Sequence, residues 1–392
     1  MSIFNMIYGG GGETPSTYKT YTIVWNETSD PSQFFVRYED DAAWLTQGSS
    51  DFDDFFWYSA VLLDASGNEV SELTQTSWVF SWAMTTLGSL TWTANNVMIK
   101  FPRRWIKMSK SWTQVTLSIT DNPDAEADGY QYYAFTKWST VKDYMYMWAY
   151  MGSFSTNNSS VTAYSQNNTY LKSWATSSRT ENASPAAYQT RATFRATAAK
   201  YWNWYSLMTW YPRNYINALY MMKYWNPDSQ SVVWQWYTWW SASIAPWGTK
   251  SQTSATYWTS SSTTQARLFW LEDWWGNVYE WMDGCYFNGS TQLTVDKTNN
   301  VFQDSDYATN LGATSSWYMS AIAWDNDGMF QNKSSSAWTS TTYYADYCSA
   351  NASCVLSTGG YWNNGANAGA FNLSTATASY ANAAIGSRLM FL

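Results

Sequence analysis

Histidine is missing altogether from this 392-residue chain. Without an imidazole there is no Ser-His-Asp or Cys-His nucleophile pair, no HExxH zinc site and no histidine proton shuttle. Cysteine is scarce: three are too few for an all-cysteine zinc site. Charge is thin, at 13% of residues, with a net charge of −8 and no basic run longer than "PRR". A nucleic-acid partner is therefore not expected. No segment reaches the roughly eighteen apolar residues of a membrane-spanning helix. The opening "MSIFNMIYGGGGETP" lacks a basic leader and a long apolar stretch, so no secretory signal is expected from it.

What the chain has in plenty is apolar and aromatic surface, 45% hydrophobic and 20% aromatic residues. That composition fills a core, and the length admits two or three domains. Early segments read as strands. "YKTYTIVW" and "QFFVRYE" flank the turn cluster "NETSDPS", and "NVMIKFPRRW" follows. In "TQVTLSIT", Val115, Leu117 and Ile119 alternate with Thr and Ser, the period of a half-buried strand. Arg103, Arg104, Lys107 and Lys110 are expected on a solvated strand face.

Two helices are expected in the middle. "SPAAYQTRATFRATAAKY" has Pro185 near its start and puts Phe194, Ala198 and Tyr201 on one face. "YPRNYINALYMMKYW" has Pro212 in its first turn, then Ile216, Leu219, Tyr220 and Lys223 at helical spacing. Both stripes read as core contacts. No long helix is expected beyond residue 226.

Tryptophan outnumbers glycine, 29 to 20, an inverted ratio. Several Trp stand where a turn calls for glycine. Trp225 ends the second expected helix before "NP", and Trp239 and Trp240 are paired in "WQWYTWW". Two explanations stand: a Trp-rich aromatic surface, or UGA codons that the source organism reads as glycine.

Three stretches carry a family resemblance: "LEDWWGNVYEWMDG" (271–284), "STGGYWNNGANAGAF" (357–371) and "IGSRLMFL" (385–392). Their order resembles the C-type-lectin-like fold of formylglycine-generating-enzyme (sulfatase-modifying-factor) domains. More closely it resembles the variable proteins of diversity-generating retroelements and related phage receptor-binding, tropism-determinant-like proteins. The resemblance is specific over about 265–392 and softer over 97–264. It implies an α+β chain: a C-type-lectin-like ligand-binding domain at 97–392, preceded by a small β-rich attachment module at 1–96. It also implies a variable region at about 343–384, whose Tyr361, Asn363, Asn364, Asn367, Asn372, Ser374, Tyr380 and Asn382 contact ligand. Asn tolerates and Gly permits left-handed backbone in such a segment, and Tyr, Ser and Asn suit adaptable recognition.

Around that face, Trp281, Trp362 and Phe371 are expected as anchors. Gly276 and Gly284 are expected to turn the chain about a short strand. A glutamate in so apolar a segment needs a partner if buried. Arg388 is expected to pair with Glu280 or Asp283. Cys348 and Cys354 are six apart in "CSANASC", consistent with a small disulfide loop or with two buried thiols, leaving Cys285 single. The enzymatic branch of the family carries cysteines near its G-G-x-W segment. None lies in 359–372, so no catalytic residue and no cofactor is expected. "AWDNDG" (323–328) fails EF-hand spacing because Ala323 takes the first ligand position, and reads as an Asp/Asn turn, with no metal. The expected partner is a protein or glycan receptor, met from a virion tail or cell surface, with a homotrimer supplying avidity. Alternatives are a formylglycine-generating-enzyme-like catalytic domain and a calcium-dependent carbohydrate-binding module.

Overall fold

A computed structural model describes residues 18–27, 36–64, 66–73, 96–154, 171–172, 187–199, 201, 204–244, 249, 252, 254–322, 329, 332–334, 339 and 346–392. The "AWDNDG" turn and residues 343–345 of the expected variable region lie outside these. The fold is mixed α+β.

Three main sheets carry it. The first is antiparallel throughout, in the order Val36–Asp40, Thr20–Asn26, Gln114–Thr120, Trp105–Ser111. Its alternating Ile23, Trp25, Val115, Leu117 and Ile119 are buried in the main core. The second runs Tyr205–Leu207, Leu389–Phe391, Tyr144–Trp148, Asn96–Pro102, Ser59–Leu63, Glu69–Leu73. The third has the long strand Tyr279–Phe287 at its centre. Gln292–Val295 lies on one side and Cys354–Thr358, Leu373–Ala376 and Tyr347–Cys348 follow on the other. Ile385–Gly386 joins Tyr279–Phe287 in parallel.

These sheets redraw the expected boundary at residue 96. Ser59–Leu63 pairs with Asn96–Pro102, and Thr20–Asn26 pairs with Gln114–Thr120. Leu389–Phe391, from the far end of the chain, lies in the same sheet as Ser59–Leu63. The described residues before 96 therefore share sheets and core with those after it. Two-stranded ribbons bury too little to stand alone, which favours such sharing.

Both expected helices are present. Helix α2, Arg191–Ala198, starts at Thr190, whose hydroxyl accepts from the Thr193 amide at 3.1 Å. Phe194, Ala198 and Tyr201 enter the smaller core cluster. Helix α3, Trp210–Tyr224, is buried along all fifteen residues, so it runs through the core instead of lying on it. Two short helices were not expected: α1, Asp51–Phe56, and α4, Ser229–Val233.

One open alternative is decided and three expectations are corrected. Of the two readings of Cys348 and Cys354, the structure takes the buried thiols and not the disulfide, and Cys285 is a buried thiol as well. Leu373–Ala376 lies between the strands carrying Cys348 and Cys354. Two strand spacings, about 9.5 Å, exceed the reach of a disulfide. Gly284, at φ 64, does not end its strand, which runs to Phe287 through an irregularity between Trp281 and Tyr286. Arg103, Arg104, Lys107 and Lys110 are half-buried and engaged: Arg104 donates to the Phe55 carbonyl at 2.8 Å, and Lys110 pairs with Glu27. Trp239 and Trp240 are exposed but have no left-handed backbone, unlike Trp225 at φ 39.

Candidate functional site

The third sheet and its loops build one surface from the carboxyl-terminal segment. Its frame is polar and buried. Arg388 donates from Nε to Glu280 Oε1 at 2.8 Å, and from Nη1 to the Trp148 carbonyl at 2.6 Å. Of the two carboxylates named from sequence, Glu280 takes Arg388. Asp283 is held instead by Arg195, Nε to Oδ2, at 2.6 Å. Glu280 Oε2 also lies 3.9 Å from Arg213 Nη1. Burial pulls the Arg213 guanidinium down to about 9, against the pull of Glu280.

Side chains from α3 and α4 clamp the loop that follows Gly359. Arg213 Nη2 donates to the Trp274 and Ala370 carbonyls at 3.0 and 3.1 Å. Asn217 donates to Ala370 at 3.0 Å, and Gln230 donates to Gly365 at 3.0 Å and to Ala368. Asn277 sits at φ 60 beside Gly276, where a Cβ would lie 2.7 Å from the Tyr237 carbonyl. Its carbonyl accepts from the Trp362 amide at 3.0 Å, and its side chain exchanges hydrogen bonds with the Ile244 backbone. Reading α3 as an apolar stripe hid Arg213 and Asn217. Asn277 had a visible signal, an Asn directly after a glycine.

The eight expected ligand contacts separate on this frame. Asn363 and Tyr380 are exposed. Tyr361, Asn364, Asn367, Ser374 and Asn382 are half-buried. Asn372 is buried and structural: its amide donates to the Tyr347 and Asn367 carbonyls at 2.9 and 2.7 Å. Asn364 accepts from the Tyr361 amide at 2.8 Å, and Asn367 accepts from the Tyr318 hydroxyl at 2.7 Å. Both shape the loop. Among the anchors, Trp281 and Phe371 are buried, whereas Trp362 is half-buried and stands at the surface.

Trp362 and Tyr361 open onto a cleft of about 440 Å³. Its walls are Tyr279, Ser357, Tyr361, Trp362, Ser374, Thr375, Ala376, Thr377, Tyr380, Asn382, Ala384 and Ile385. None is charged. Tyr279 and Tyr361 stack with centroids 5.4 Å apart, and Trp362 meets Tyr361 edge-on at 5.2 Å. Burial pushes the Tyr279 phenol up to about 12, so it stays a neutral hydroxyl at physiological pH. Asn382 donates to the Tyr380 hydroxyl at 3.0 Å and accepts from the Ala384 amide at 2.8 Å. The result is an aromatic floor with a rim of hydroxyls and one amide.

No family model matches this chain, and no curated protein matches it in sequence.

Among the described residues no group of three or more Cys, Asp or Glu is placed to hold a metal ion. None of their helices is long and apolar enough to cross a membrane. Burial pushes the Cys285 thiol up to about 12 and the Cys354 thiol upward. An activated thiolate needs the opposite shift.

Proposed function

We propose that this chain is a non-enzymatic binding protein whose carboxyl-terminal segment presents an exchangeable ligand face on a C-type-lectin-like scaffold. The observation that carries the reading is the cleft: ten of its twelve lining residues fall in 343–384, the window likened to a variable region. Beneath it, the fixed frame uses Arg388, Glu280, Arg213, Asn217, Asn277 and Asn372. The face and the frame are thus made by different side chains, which lets one vary while the other holds. A cleft without charge selects neutral and aromatic groups on its partner, through stacking on Tyr361 and hydrogen bonds to Ser374, Tyr380 and Asn382. The setting proposed is host recognition by a phage tail, or adhesion at a cell surface.

Substitution separates face from frame. Replacing Asn363, Thr377 and Tyr380 together by alanine is expected to leave the thermal midpoint within about 2 °C of wild type. Asn372→Ala, which strands two carbonyls, is expected to lower it clearly. A triple variant that unfolds would sink the proposal. At the gene level, a neighbouring reverse transcriptase with a near-identical template repeat is expected.

A further inference from the structure

Sixteen described residues other than glycine have positive φ, and seven of them are tryptophan. Left-handed backbone is tolerated by Asn and Asp but is an outlier for a bulky side chain. Four of the seven also leave their indoles exposed, Trp57, Trp112, Trp138 and Trp234, and a fifth, Trp225, is half-buried with its ring stacked on Tyr38 at 4.8 Å. Each occupies a place with a specific demand for glycine.

Trp57 and Trp225 are the residues that end α1 and α3, at φ 49, ψ 47 and φ 39, ψ 30. Their amides bond back to the Asp53 and Met221 carbonyls, both at 2.8 Å, which is the glycine helix stop. Trp112 and Trp138 are each the first residue of a two-residue hairpin loop, between Ser111 and Gln114 and between Lys137 and Thr140. Both have positive φ, 57 and 55, while the Thr113 and Ser139 that follow do not. That is the type II′ pattern, whose first position is glycine. Trp234 has φ 68 and ψ 170, a region essentially reserved for glycine. Burial offers little compensation: Trp112 is 94% exposed, Trp57 62%, Trp138 42% and Trp234 40%, and the ring contacts among the described residues are single ones, Trp138 edge-on to Trp204 and Trp225 stacked on Tyr38. Trp236 and Trp270 share the backbone sign but bury their indoles, where core packing offsets the strain.

We infer that the fold is written for glycine at these five positions, and that their codons are UGA, read as glycine where the protein is natively made. The exposed indoles there are then no docking surface, and none of the five lines the cleft.

Sequencing the gene tests this directly. UGA is expected at all five codons, and UGG at all five would overturn the inference. An independent measurement is thermal unfolding of W112G and W138G. Each is expected to raise the midpoint by about 1–3 °C, from relief of left-handed strain, while W148G and W281G, which empty core positions, lower it. A fall in midpoint for both W112G and W138G would overturn the inference as well.

Discussion

Asp273 shows how one buried side chain sets a property of the whole molecule. Its Oδ2 accepts from Gln265 at 2.6 Å and from Asn277 at 3.0 Å, inside the frame that holds Trp362. Burial outweighs these bonds and raises the carboxyl to about 6 from its ordinary 3.8. A raised acid binds its proton more tightly in the folded chain than in the unfolded one. Its stabilising contribution is therefore complete below the ordinary value and is lost as pH rises through about 4 to 6. Burial raises Asp346 in the same direction. Asp64, Glu69 and Asp304 are lowered, so their contributions fade only as pH falls below the ordinary carboxylate range. Between pH 4.5 and 7.5 the raised acids set the slope. The midpoint is expected to fall by a few degrees over that interval, reflecting on the order of 2 kcal/mol. Asp273→Asn keeps an acceptor for both donors and is expected to flatten the slope. An unchanged slope in thermal melts across the interval would rule out Asp273 as its source.

At the level of elements, Arg388 joins three pieces of chain. It bonds Glu280 on the central strand, the Trp148 carbonyl on Tyr144–Trp148, and the Glu272 carbonyl at 2.5 Å. Alanine at 388 is expected to cost about 3–5 kcal/mol, because Glu280 is left charged and enclosed. Lysine is expected to recover little, since one ammonium cannot span three acceptors. Denaturant unfolding measures both, and an Arg388→Ala midpoint equal to wild type would refute the account. This pair was legible in part: an acid inside an apolar strand demands a base and "IGSRL" offered one, but Glu280 and Asp283 were equal candidates until the fold gave Asp283 to Arg195. Strands such as Gln114–Thr120 were legible through alternation, and α2 and α3 through their spacing; Pro212 does sit in the first turn of α3, whereas α2 starts at Arg191, after Pro185. The clamps from α3 were not. A helix buried on every side has no polar face to mark its function, so Arg213 and Asn217 looked incidental. Asn372 looked like its neighbours in an Asn-rich run. What sets it apart, two carbonyls brought to it by the fold, is a long-range fact.

For the whole molecule, the decisive feature is that the described residues before 96 are built into the sheets of those after it. Ile23, Trp25, Phe52, Phe55 and Phe56 belong to one core cluster with Tyr215, Leu219 and Met222 of α3. Burying one such side chain contributes about 1.5–3 kcal/mol, and a folded domain has only about 5–15 kcal/mol in hand. Losing five, about 7.5–15 kcal/mol, is as large as that whole margin. Cutting at residue 96 would also bare the edges of Gln114–Thr120 and Asn96–Pro102, which Thr20–Asn26 and Ser59–Leu63 now cover. Bare edges of long apolar strands pair with other chains. A fragment spanning 97–392 is therefore expected to aggregate, or to melt without a cooperative transition, by size-exclusion chromatography and circular dichroism. A monomeric fragment melting close to the full chain would show instead that the amino-terminal strands are an attachment added to a self-sufficient binding domain.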